Sequence, residues 1–160
     1  MAPLEIKAPP PPVLVAALAP RMLELAGTLA DGTITWMTGP DTIGSHIAPS
    51  ITAAAEKAGR PAPRVEVCLP VCVTTDVGGA RTTADSTFAI YGHLPSYRAM
   101  LDREGAAGPG GVAIVGDEDS VAAQIRSLFD RGATGLSAFP YGSDDEISRS
   151  VALLGELARS

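Results

Sequence analysis

VLVAALAPRMLELAGTLADGTITWMTGPDTI, residues Val13–Ile43, reads as strand, helix, strand and the opening of a second helix. The apolar run Val13–Leu18 has strand length. Pro20 follows at a first-turn position, where its missing N–H costs nothing, and Asp31-Gly32 ends the helix before a second strand over Thr33–Met37. Within the helix, Met22, Leu25, Ala26 and Leu29 recur at helical spacing and predict one buried stripe. The segment is therefore a βαβ unit, the element from which parallel sheets are built.

Outward from this unit the plan repeats. Asp41–Ala58 reads as a helix capped by Asp41 or Thr42, with Ile43, Ile47, Ile51 and Ala54/Ala55 as its stripe, and Gly59 with Pro61 and Pro63 closes it. Arg64–Thr75 is the longest strand candidate, alternating through Val65, Val67, Leu69, Val71 and Val73. Pro70 in its middle predicts a bulge or bend. The stretch Asp76–Gly111 exceeds an ordinary connection; it carries helical patterns over Ala80–Ile90 and Pro95–Arg103, in the manner of a lid or substrate loop. Acidic Asp117, Glu118 and Asp119 open a further helix with the stripe Val121, Ile125 and Leu128. A last strand, Thr134–Phe139, precedes a capping box at Ser143–Glu146. Four strands with their helices amount to half of an eight-stranded β/α barrel, which needs roughly 250 residues where this chain has 160. Residues 1–12 are a proline-rich extended lead-in, and 13–160 form the α/β unit with a helical insertion at about 77–111.

Composition narrows the chemistry. A formal charge of −6 without a basic stripe excludes nucleic acid. No run approaches the roughly 20 apolar residues that cross a bilayer, and the apolar Val13–Leu18 lacks the flanks of a signal peptide. Cys68 and Cys72 lie four apart in a strand, roughly 13 Å from one another, too far for a disulfide. No histidine is near them in sequence, so no metal site is expected, and two core or barrel-lining thiols suit a reducing cytoplasm. Triads, phosphate loops of the Walker type and G-x-G-x-x-G motifs are all absent, which removes hydrolase and kinase readings.

In parallel α/β folds chemistry sits where strands end and helices begin. Two such mouths are built for close backbone approach: Ala17-Leu18-Ala19 before Pro20, and Met37-Thr38-Gly39 before Pro40. Amides at a helix N-terminus hold phosphate without a lysine, although spacing alone also fits two ordinary βα turns.

The same residues carry a resemblance. VLVAALAPRMLELAGTLADGTITWMTGP is similar to the second half of the luciferase-like monooxygenases, most of all to their coenzyme F-420-dependent oxidoreductase branch. The similarity continues through Ala53–Asp76 (AAAEKAGRPAPRVEVCLPVCVTTD), Tyr91–Gly105 (YGHLPSYRAMLDREG), Val112–Glu118 (VAIVGDE) and Leu128–Gly142 (LFDRGATGLSAFPYG), nearly the whole chain, but not the family's first half. The resemblance implies strands five to eight of a TIM-type (β/α)8 barrel and hydride transfer between a deazaflavin and an organic small molecule. Flavin mononucleotide (FMN) is the alternative cofactor. It also implies that Ala17, Leu18, Ala19, Met37, Thr38 and Gly39 hold the cofactor's phosphate region, with Ala19 standing where the family usually has glycine. Catalytic residues remain unassigned. Trp36 either flanks a ring system or plugs the barrel mouth, and Tyr91, His93 and Tyr97 are candidates for a substrate pocket. His46 reads as structural or exposed, and Arg98 and Arg103 as possible contacts of an anionic tail. Unpaired edges predict a homodimer or pairing with the missing N-terminal half; a non-catalytic half-barrel that binds a phosphate ligand is the remaining alternative.

Overall fold

Alternating strand and helix signals give an all-parallel sheet, as a computed structural model describing residues 10–159 shows. Its strands are β1 (Leu14–Ala16), β2 (Gly32–Trp36), β3 (Arg64–Val73), β4 (Ile114–Gly116) and β5 (Gly135–Pro140). Of the lead-in, residues 1–9 lie outside the described residues.

The order of the sheet follows from which backbone groups of β3 face which neighbour. In a parallel ladder successive residues bond to opposite edges. Even-numbered Arg64 and Thr74 donate to Asp31 O and Gly116 O, whereas odd-numbered Val65 and Val71 accept from the N–H groups of Thr134 and Tyr141. β2 and β4 therefore share one edge of β3, and β5 takes the other. The arc runs β1, β2, β3, β5, with the short β4 seated beyond the end of β2 on the same side. Sequence patterning missed β4, whose three buried residues are too few to show a period.

This arrangement explains Pro70. The predicted bulge is absent, and β3 runs unbroken from Arg64 to Val73. Its even number aims the missing N–H at the gap between β2, whose pairing ends at Cys68, and β4, whose pairing begins at Val71. No ladder bond is lost there.

Val65, Val67, Leu69, Val71 and Val73 are buried under the helices, as their alternation predicts, and Glu66 and Cys68 stand half-buried on the concave face. Both cysteines are free thiols.

Helix α1 (Pro20–Leu29) departs from its predicted stripe. Leu23, Ala26 and Gly27 are its buried residues, while Met22, Leu25 and Leu29 are 40%, 43% and 71% exposed. The small residues decide this: a Cβ on Gly27 would lie 2.5 Å from Ile51 O, so the neighbouring helix packs backbone to backbone against that side. That neighbour is one rod of three parts: α2 (Pro40–Thr42), a π-helical turn (Ile43–Ile47) and α3 (Ala48–Lys57). Pro49 causes the π turn, because its ring displaces the carbonyl four residues back and brings no N–H to bond it. The insertion forms α4 (Val77–Thr87), a 3-10 turn (Ala89–Gly92), α5 (Pro95–Glu104) and a second 3-10 turn (Pro109–Gly111). α6 (Glu118–Asp130) and α7 (Asp144–Leu157) complete the layer, and Ser143 and Glu146 close the predicted capping box of α7.

Candidate functional site

At the C-terminal ends of the strands lies a cavity of about 600 Å³. Ala16–Ala19 form one wall, Ile34, Trp36, Cys68 and Phe139 the sheet side, and Tyr91, Ser96 and Tyr97 of the insertion the roof. Among the expected site residues, Ala17, Leu18, Ala19, Trp36, Tyr91 and Tyr97 come together here. Met37, Thr38, Gly39 and His93 do not line it; His93 is exposed on the insertion.

Rings dominate the wall. Trp36 meets Phe88, Tyr91 and Phe139 edge to face at centroid distances of 5.6, 5.8 and 6.0 Å, and Tyr91 meets Tyr97 at 4.9 Å. Such T-shaped pairs contribute beyond their buried area, so the insertion is fastened over the strand ends by aromatic contact. Trp36 is both a mouth residue and a cavity wall. Its buried indole N–H has no acceptor among the described residues.

The two strand-to-helix mouths are built differently. At the β1–α1 mouth, Ala19 is the N-cap, exposed, with no side chain capping the helix and no acid in its first turn. The Ala19 N–H finds no acceptor among the described residues. Carbonyls of this loop are held from the next unit: Thr33 Oγ1 donates to Val15 O (2.9 Å) and Ala17 O (3.2 Å), and His46 Nε2 lies 2.9 Å from Leu18 O.

At the β2–α2 mouth an internal carboxylate holds the amides. Glu104, from the end of α5, accepts from Asp41 N–H (3.1 Å) and Thr42 N–H (2.7 Å). Gly39 leaves room for that carboxylate, since a Cβ there would sit 2.4 Å from Glu104 Oε1. Met37, Thr38 and Gly39 are buried, and Met37 adopts φ 53°, a left-handed conformation costly for a side chain of its size. The sequence-level expectation of two equivalent phosphate seats thus meets one mouth with free donors and one whose donors are engaged.

Arg98 is engaged elsewhere, donating to Asp102 Oδ1, Ala106 O and Ala107 O, which ties α5 to the loop after it. His46 is buried and structural, one of the two alternatives its sequence position leaves open. Sequence reasoning gave no role to Glu104 or Phe88, which act on residues more than 50 positions away. Pro49 inside a helical pattern was the signal for the π turn that carries His46.

On the sheet side of the cavity, burial and the Glu66 carboxylate raise the Cys68 thiol's pKa. The buried Cys72 thiol is pushed up to about 11, by burial first and by Glu146 second, against the opposing pull of Arg149. Neither thiol is poised as a nucleophile. Among the described residues no cluster of three or more His, Cys, Asp or Glu could hold a metal, and no helix is long and apolar enough to cross a membrane.

The luciferase-like monooxygenase family model matches residues 2–135. A 5,10-methylenetetrahydromethanopterin reductase of Methanolobus tindarius is 26% identical, over 96% of this chain and 55% of its own length. In structure, the coenzyme F-420-dependent tetrahydromethanopterin reductase of Methanopyrus kandleri superposes with a TM-score of 0.70 at 22% identity, covering 91% of this chain and 49% of that one. The oxygenating constituent of 3,6-diketocamphane monooxygenase from Pseudomonas putida, solved with FMN, gives 0.59 at 19% identity, over 83% and 43%. The chain spans about half the length of these relatives, as a half barrel does.

Proposed function

The chain belongs to the luciferase-like monooxygenase family, and from that premise we propose that it is the coenzyme-seating half of a coenzyme F-420-dependent oxidoreductase acting on an organic small molecule. The observation that carries the reading is the joining of an uncapped helix end to an apolar, ring-walled cavity at one strand mouth. An anionic tail suits the first part and a planar ring system the second.

When bound, a deazaflavin supplies the hydride chemistry. The chain's own residues bind and orient. Ala17 and Ala19 keep side chains out of the backbone's way, the Ala19 N–H and the α1 dipole face negative charge, and Trp36 and Phe139 offer edges and faces to a flat ligand. Tyr91 and Tyr97 on the insertion roof the cavity over the ligand's site. The resemblance favours coenzyme F-420; the FMN-bound relative makes FMN the second reading. A cytoplasmic location accompanies this proposal, in keeping with the two free thiols.

Completion of the site requires more β/α structure. Among the described residues β1 and β5 each pair on one side only, and Leu25 and Leu29 of α1 are exposed. Open edges recruit further strands, so the proposal includes pairing with the other half of the barrel or with a second copy. Titration of the chain with coenzyme F-420 and with FMN, followed by light scattering, tests both parts. Binding of coenzyme F-420 in preference to FMN by an associated species is the expected result. Preference for FMN transfers the reading to the monooxygenase branch, and binding of neither by an associated species sinks it in favour of a non-catalytic half-barrel.

A further inference from the structure

We propose that His46 is a positioning residue for the β1–α1 mouth: it fixes the plane of the Leu18–Ala19 peptide and so directs the Ala19 N–H at the bound anion. The role rests on the coenzyme-seating reading above, but its geometry stands apart from it.

His46 belongs to the second β/α unit and Leu18 to the first, 28 residues earlier. In a regular α-helix His46, three residues after Ile43, would already share the buried stripe of Ile43 and Ile47. Pro49 removes that regularity: the rod widens to a π turn over Ile43–Ile47, closed by Ala48 N–H donating to Ile43 O. Single π turns inside helices recur at functional sites, where they redirect one side chain. His46 lies on this turn, 7% exposed, with Nε2 2.9 Å from Leu18 O.

A carbonyl oxygen only accepts, so the proton of this bond is on Nε2. The peptide joining Leu18 to Ala19 is planar and trans, which puts its C=O and N–H on opposite sides. Holding Leu18 O against His46 therefore turns the Ala19 N–H away from the rod. Ala19 is exposed, lines the cavity and caps α1, and its N–H has no acceptor among the described residues. Thr33, bonding Val15 O and Ala17 O, holds the preceding carbonyls in the same way, and His46 completes the set at the residue where strand pairing has ended. A loop of small side chains has little else to define its conformation.

The test uses His46→Leu, which cannot donate, and His46→Gln, whose amide reaches the same carbonyl. In the wild-type chain, a long-range proton–nitrogen spectrum should show His46 protonated at Nε2. His46→Leu should shift the Ala19 amide resonance and weaken coenzyme F-420 binding about tenfold, the effect of one lost hydrogen bond. His46→Gln should restore both. If His46→Leu leaves the Ala19 resonance and the affinity unchanged, or if His46→Gln behaves like His46→Leu, the proposal is overturned. Should His46→Leu fail to fold, His46→Gln against the shorter His46→Asn decides, and equal behaviour of the two overturns it. If the wild-type chain binds neither coenzyme F-420 nor FMN, the functional reading has failed, and the Ala19 resonance alone decides the role of His46.

Discussion

The β1–α1 and β2–α2 mouths begin from nearly the same sequence, small residues and then a proline, yet one is open and the other carries its own anion. Ala19 caps α1 with nothing but backbone, whereas the amides of Asp41 and Thr42 donate to Glu104. Arg131 reinforces the closed side through its 2.6 Å ion pair with Asp41, although both partners are largely exposed and the pair adds little. The difference teaches that a strand-end motif specifies amides at a helix N-terminus but not their occupant. The occupant comes from elsewhere in the chain: a carboxylate on the inserted helix at one mouth, and, on our proposal, a coenzyme at the other.

The largest test removes the ring that belongs to both mouths. Trp36→Ala should cost about 2–3 kcal/mol, below the range for truncating a fully buried aromatic because the ring is half-buried, and should also detach the insertion from the strand ends. Chemical denaturation followed by circular dichroism measures the first effect and proteolysis within residues 77–104 the second. A loss below about 1 kcal/mol would show that the insertion is held by other contacts.

Glu104→Ala should open the second mouth. Two helix-end donors lose their acceptor, at a cost of about 1–2 kcal/mol. Inorganic phosphate should then raise the melting temperature of the variant more than that of the wild-type chain, because the vacated amides accept an outside anion. An equal response in both proteins would mean that the Glu104 carboxylate does not occupy an anion seat.

The converse substitution closes the first mouth. Ala19 already has the extended backbone of an N-cap, φ −78° and ψ 150°. Ala19→Asp should therefore stabilise the fold by about 1 kcal/mol through its cap and the helix dipole, while coenzyme F-420 binding falls. Greater stability with undiminished affinity would place the coenzyme's anion away from α1.

The smallest effect separates the two thiols of β3. Cys68 lines the open cavity and Cys72 is buried, so at pH 8 an alkylating reagent should modify Cys68 first, by about tenfold in rate. Cys72 also predicts a sign. Its folded-state pKa, pushed up to about 11, lies above the unfolded value of about 8.5, so the folded chain holds the proton more tightly. That contribution to stability is whole below about pH 8.5 and is lost as pH rises toward 11. Replacing Cys72 with alanine should flatten the alkaline end of the stability profile.

Legibility in the sequence followed range. The capping box at Ser143 and Glu146, the stripe Ile43, Ile47 and Ile51, and the alternation along β3 are patterns of a few residues, and the fold has all three. The α1 stripe departs from its pattern because hydrophobicity favours Leu25 and Leu29, whereas close packing on Gly27 chooses the face. The bulge that Pro70 predicts is absent because the effect of a strand proline depends on what lies beside it, and the gap between β2 and β4 is a property of two other strands. Of the site, Trp36, Tyr91 and Tyr97 were visible as residues, but their convergence was not.

By itself, then, the sequence determined the βαβ plan, the family likeness and the existence of two helix mouths, since caps, breakers and hydrophobic period act over one or two turns of chain. Only the tertiary structure decided which mouth is open. Glu104 reaches Thr42 across 62 residues and His46 reaches Leu18 across 28, and such contacts depend on how helices approach one another, an outcome of packing that no local pattern encodes.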